Sequence, residues 1–136
     1  RICPEIKKAF QFVATRTERD LVARYDAESG GRFGPHRDDV GVFVAHRRFA
    51  VSINLNDDFD GGEVSFPEYS PRGFKPLPGA AVVFSASILH QVSPLTRGRR
   101  YVFLTFLFDE AAESLRQANL RAVKTPQAAH RASAPA

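Results

Sequence analysis

Three residues in this chain have the types and the spacing to hold a metal ion: His36 and Asp38 in the run His36-Arg37-Asp38, and His90 far downstream. Two imidazoles and one carboxylate grip a divalent iron on one face and leave the opposite positions open for O2 and a co-substrate. Arg100, ten residues beyond His90, adds a guanidinium set apart from those donors. Such a group suits the far carboxylate of a dicarboxylic acid. Together the four residues point to oxygenase chemistry at a non-haem iron.

Spacing decides how these donors can meet. In an extended strand, residues two apart point to one face, so His36 and Asp38 can lean onto one ion. Asp39 competes with Asp38, but its odd spacing from His36 turns it to the opposite face. An His-x-Asp triplet alone is a common surface pattern. His90 gives it weight, because the buried-type strand Ala80 to Ser85 delivers this histidine just before the turn Ser93-Pro94-Leu95-Thr96-Arg97-Gly98. From there the chain returns as Arg100 to Phe108, nearly all β-formers. A charge that opens such an apolar strand is costly unless paired, and a bound carboxylate is a natural partner for Arg100. Arg97 and Arg99 fit the rim. His46, beside Arg47 and Arg48, is expected in a surface turn, and His130 lies near the end. The cluster Asp57, Asp58 and Asp60 lacks the spacing and later glutamate of a calcium loop and reads as a solvated hairpin turn.

The elements that must position these residues follow from periodicity. Pro4, Ile6, Phe10 and Val13 predict an N-terminal helix over roughly 4–15. Short strands are predicted at Leu21 to Tyr25, Val40 to Val44, Phe49 to Leu55, Glu63 to Phe66, Ala80 to Ser85 and Tyr101 to Phe108. Turn chemistry separates them at Ser29-Gly30-Gly31, at 56–62 and in the Pro/Gly-rich connection 67–79. Strands at this spacing indicate a sandwich or barrel. Asp109 to Leu120 predicts a closing helix with Asp109 as N-cap. Thr125 to Ala136 has the composition of a disordered tail, so the domain is expected to occupy 1–124.

Composition narrows the class. With 136 residues and 43% hydrophobic content, the chain fits one globular domain with a real core. A single cysteine, Cys3, excludes internal disulfides and a Cys-rich zinc site, making a reducing cytoplasm the default expectation. No apolar run reaches the roughly 20 residues needed to span a bilayer, and the first residues do not read as a signal peptide. The lack of an initiator methionine suggests an excerpt of a longer chain or a processed one. The net charge of +4 could suggest a nucleic-acid partner. Yet all 15 acidic residues lie within 1–114 together with 15 of the 19 basic ones, and the excess sits on Arg116, Arg121, Lys124 and Arg131, read as a C-terminal tail. No nucleic-acid partner is therefore expected.

The motifs also carry a resemblance. Gly79, the apolar strand after it, His90, Pro94, Gly98 and Arg100-Tyr101 resemble the C-terminal signature of the Fe(II)/2-oxoglutarate-dependent dioxygenases. Tyr25 stands eleven residues before His36, and Phe49 to Asn56 precedes Gly61-Gly62-Glu63-Val64-Ser65-Phe66-Pro67. Both are similar to the prolyl 4-hydroxylase-like branch of that superfamily, over roughly residues 20–110. Collagen-type members carry lysine where Arg100 stands, a departure that bears on the substrate.

The resemblance implies a mainly β fold with flanking helices, a double-stranded β-helix of the jelly-roll or cupin-like barrel type. It implies that His36, Asp38 and His90 ligate Fe(II) and that 2-oxoglutarate chelates it, with its far carboxylate on Arg100. Tyr25 would reach the metal-bound group or the co-substrate, and Asn54 would line the co-substrate pocket. The implied reaction consumes O2, converts 2-oxoglutarate to succinate and CO2, and hydroxylates an unactivated C–H bond. Ascorbate is a candidate auxiliary reductant. A peptidyl or amino-acid substrate, with proline leading, is expected, and specificity would lie in loops 26–35 and 67–78. Two other readings stand beside this one. A nucleic-acid demethylase of the same superfamily would carry another arginine just past Arg100, and Tyr101 to Leu115 contains none. A non-catalytic cupin-like module holding Zn, Mn or Ni would not turn over 2-oxoglutarate. Oligomeric state is not legible.

Overall fold

The computed structural model describes residues 1–125; the expected tail lies outside the described residues apart from Thr125. Two helices, α1 (Ile2–Phe10) and α2 (Glu110–Lys124), flank nine strands. These are β1 (Arg16–Asp26), β2 (Phe33–His36), β3 (Phe49–Asn54), β4 (Phe59–Gly61), β5 (Val64–Phe66), β6 (Ser70–Phe74), β7 (Ala81–Ser85), β8 (His90–Val92) and β9 (Leu95–Phe108). A larger sheet runs β1-β9-β3-β7 with β4 also on β9, and a smaller one runs β2-β8-β5-β6. They are the two walls of a double-stranded β-helix, and hydrogen bonding does not close them into a barrel.

Alternation along β3 explains which face does what. Phe49, Val51 and Ile53 point one way and pack with Leu107 against Ile6 of α1. Ala50, Ser52 and Asn54 therefore face the other wall. Helix α1 is shorter than its apolar spacing predicts, because Gln11 turns left-handed (φ 55°) and caps the end through Lys7 O. The chain must then extend to reach the sheet: Thr15 N already donates to Phe108 O at 3.0 Å. Helix α2 starts as expected, with the Asp109 carboxylate accepting from Ala112 N at 2.9 Å.

Several local expectations are corrected. Val40 to Val44 is a turn, not a strand: Gly41 takes φ 121°, Val44 N donates to Gly41 O, and Val40 and Phe43 are exposed. The turn at 56–62 contains β4, and the connection 67–79 contains β6. The expected turn at 93–98 is already sheet from Leu95, because β4 pairs Phe59 with Gly98 and Asp60 with Arg97. That pairing needs the glycines: at Gly61 (φ 77°) a Cβ would lie 2.1 Å from Pro94 O. His46 and Arg47 are buried rather than on a surface turn, at 1% and 7% exposure. Three of the four excess cations, Arg116, Arg121 and Lys124, ride on α2 rather than in a tail.

Candidate metal centre and its cavity

The smaller sheet brings two histidines face to face. His36 ends β2, His90 begins β8, and the register pairs them directly. Asp38 lies just past the end of β2, so a turn, and not the strand periodicity expected, carries it back to the histidines. Its backbone is held on both sides: Asp38 N donates to Ala86 O at 2.9 Å, and Arg47 Nη1 donates to Asp38 O at 3.3 Å. Asp39 diverges and accepts a hydrogen bond from the Ser87 hydroxyl.

The donor atoms converge. His36 Nε2 lies 3.3 Å from Asp38 Oδ1, and His90 Nε2 lies 3.4 Å from Asp38 Oδ2. One ligand atom from each of the three residues falls within 4.8 Å of the others. That spacing suits adjacent ligands of one ion held about 2.1 Å from each donor. The rings are oriented for it as well. His36 Nδ1 donates to Gly34 O at 2.8 Å and His90 Nδ1 to Ile88 O at 3.0 Å, which leaves both Nε2 lone pairs facing the site. Burial, opposed by the Ile88 carbonyl and Asp38, holds the His90 imidazole below its ordinary pKa. The residues present fit a divalent metal.

These donors open on a cavity of about 420 Å³ between the sheets. Arg100 lines its far side, 4% exposed, where desolvation pulls its pKa down while leaving it charged. Its Nε donates to Asn54 Oδ1 at 2.9 Å, and Nη2 is 3.5 Å from Ser52 Oγ. Tyr25, its cross-strand partner, puts its ring 5.8 Å from the guanidinium carbon and lines the same cavity. Among the described residues no carboxylate pairs with Arg100. Its neighbours point away, Arg99 to Asp26 at 2.5 Å and Arg97 to Asp60 at 2.7 Å. Asn54 is buried behind Arg100, with its amide donating to Pro76 O at 3.0 Å, and does not line the cavity.

Sequence reasoning missed Arg47, Ser52 and Arg19 on the cavity wall. Ser52 was legible in principle, since Ala50, Ser52 and Asn54 form the small and polar face of an otherwise apolar strand. Arg47 had no local signal, because its partners are remote. Its Nε donates to Glu18 Oε1 at 2.6 Å, and its guanidinium lies 3.9 Å from the Phe106 ring centre. Glu18 also receives His46 Nε2 at 2.5 Å. Burial pushes Glu18 up, but the bonds from Arg47 and His46 prevail and hold it below the ordinary carboxylate range.

With the geometry in place, comparison with known proteins is direct. Residues 21–108 match the family model of the 2OG-Fe(II) oxygenase superfamily. The chain belongs to that superfamily, whose chemistry implies Fe(II), 2-oxoglutarate and O2. It is similar to a PKHD-type hydroxylase of Maricaulis maris (strain MCS10), 40% identical over 87 residues, which are 60% of this chain and 38% of that protein. A PKHD-type hydroxylase of Synechococcus sp. (strain JA-3-3Ab) is 32% identical over 94 residues, 64% of this chain and 41% of that protein. The chain thus spans less than half the length of these curated relatives. In fold it is similar to a Pseudomonas putida prolyl-4-hydroxylase (TM-score 0.62, 20% identity, 79% of this chain and 59% of that one). The same holds for a Trichoplax adhaerens prolyl hydroxylase in complex with a peptide fragment of hypoxia inducible factor (TM-score 0.63, 23% identity, 78% of this chain and 50% of that one). No described helix is long and apolar enough to cross a membrane.

Proposed function

We propose that this chain is the catalytic unit of a prolyl hydroxylase-like dioxygenase that hydroxylates an unactivated C–H bond of a peptidyl or amino-acid substrate. One observation carries the reading: the His36, Asp38 and His90 donors and a buried arginine without a carboxylate partner open on the same cavity. In this reading the three donors hold Fe(II), which when bound with 2-oxoglutarate and O2 supplies the oxidation that yields succinate, CO2 and a hydroxylated product.

The protein's own residues supply position and charge. Arg100 neutralises the far carboxylate of 2-oxoglutarate in a dry setting, where a charge-assisted contact is strongest. Asn54 and Ser52 hold the guanidinium so that its free edge faces the cavity. Tyr25 closes the wall beside it. The backbone carbonyls of Gly34 and Ile88 keep the two imidazoles turned to the metal. Ascorbate belongs to this reading as an auxiliary reductant. The test is to incubate Fe-loaded protein with 2-oxoglutarate, O2 and a library of peptides and amino acids, proline-containing ones included. A mass gain of one oxygen coupled to succinate formation is expected. Succinate formation absent under every condition, with metal bound, would defeat the proposal.

A further inference from the structure

The cavity has a second cationic end. Strand β1 presents Arg19, Leu21, Ala23 and Tyr25 to it, and β9 presents Arg100, Val102, Leu104 and Phe106. The register sets Tyr25 against Arg100, Leu21 against Leu104 and Glu18 against Phe106. From Arg100 to Phe106 the wall therefore runs six residues, roughly 20 Å at about 3.3 Å each. In the proposed function a five-carbon diacid would run from the three donors to Arg100, and Arg19 takes no part in holding it. Towards Phe106 the lining adds Arg47, which stacks on that ring and also reaches Asp38 O, and Arg19, which is exposed at the rim.

The cations on this wall are not equivalent. Arg37 is bound to Glu68 at 2.6 Å and Arg47 to Glu18 at 2.6 Å. Arg19, exposed to solvent at the rim of the cavity, has no side-chain partner among the described residues, and the acids flanking it are taken. Glu18 serves His46 and Arg47, while Asp20 accepts from Thr105 at 2.6 Å and from Thr17 at 3.3 Å. Arg19 also sits in left-handed backbone (φ 57°) where the register of β1 shifts between Glu18 and Leu21. Bulges re-aim side chains, and strained backbone that caps no helix tends to mark a functional position. The lining that Arg19 shares with the metal ligands includes the apolar side chains of Leu21, Val44 and Leu104 beside Arg47 and Thr105.

We infer that Arg19 docks a carboxylate of the primary substrate, joined by an apolar span to the carbon that is oxidised. One unpaired guanidinium balances one charge, which matches a carboxylate. The inference rests on the proposed function and narrows it to substrates with a free acid group at a distance from the reacting carbon.

The test uses Zn-loaded protein saturated with 2-oxoglutarate, so that Arg100 is filled and no turnover occurs. Linear carboxylates from butanoate to octanoate and their primary amides are titrated by ligand-observed NMR. The carboxylates should bind roughly threefold to fivefold more tightly than the matching amides, and Arg19→Gln should remove that preference. Arg19→Gly should do the same while raising the melting temperature, since glycine relieves the left-handed backbone. This separates loss of the guanidinium from damage to the fold. Equal binding of acids and amides to the parent, no acid binding, or a preference that survives in Arg19→Gln would overturn the inference. Failure of the Zn-loaded parent to bind 2-oxoglutarate would instead strike the proposed function itself.

Discussion

The two walls of the cavity hold their functional groups by different means. Arg100 sits within β9, a strand of 14 residues laddered to both β1 and β3, so its direction is fixed by register before any side chain acts. His36 and His90 sit at the ends of strands of four and three residues, and Asp38 sits on a turn. Their order is borrowed from backbone ties: Gly34 and Ile88 for the rings, Ala86 and Arg47 for Asp38. The contrast teaches that the arginine wall is preorganised by register, whereas the metal wall rests on a few single hydrogen bonds and, in the proposed function, would gain further order from a bound ion. Metal removal should loosen the smaller sheet and leave the larger one intact.

The largest effect should come from the metal wall. His90→Ala removes one of three donors and should weaken metal binding by roughly two orders of magnitude or more, measured by competition with a chelating dye. Unchanged affinity would mean the three residues do not form one site. On the arginine wall, Arg100→Ala should raise the 2-oxoglutarate requirement by about one to two orders of magnitude, the worth of a charge-assisted contact. Lysine should rescue only partly, because an ammonium cannot reproduce the fork. Metal affinity should survive. Arg99→Ala should behave like the parent in the same titration, since Arg99 faces Asp26.

Glu18 ties the walls together through Arg47, and its removal should cost less. Glu18→Gln keeps the shape but not the charge and should destabilise the fold by about 1–3 kcal/mol in urea melts at neutral pH. Because the folded-state pKa is depressed, this contribution is present above the unfolded value. It is lost as pH falls through the folded one. The parent and the variant should therefore converge in stability on the acid side of the ordinary glutamate range. A gap that persists there would locate the effect in packing instead. Smallest of all is Val40→Ser: a turn residue 71% exposed should change stability by less than about 0.5 kcal/mol, where a core strand residue would cost more.

The same contrast explains what the sequence discloses. The strand Phe49–Asn54, the apolar run Ala81–Ser85 and the arginine that enters the last strand were legible because periodicity and propensity agreed with the sheet. His36, Asp38 and His90 were legible as residue types, but the premise of one continuous strand through Asp38 was not what brought them together. Cross-strand pairing of His36 with His90 did that, and no local pattern encodes such a register. Val40 to Val44 misled because β-branched residues in an exposed turn look like a strand when Gly41 is ignored. His46 and Arg47 misled because a run of polar residues looks solvated, while Glu18, 28 residues away from His46, makes its burial tolerable.

The central claim is that both walls hold one molecule, with metal at one end and Arg100 at the other. Calorimetric titration of 2-oxoglutarate tests it directly, using metal-loaded parent, chelator-stripped parent and metal-loaded Arg100→Ala. The account predicts measurable binding to the first and losses of about tenfold or more in each of the others. Binding of equal affinity in the stripped protein would contradict it, because 2-oxoglutarate would then occupy the arginine wall without touching the metal wall.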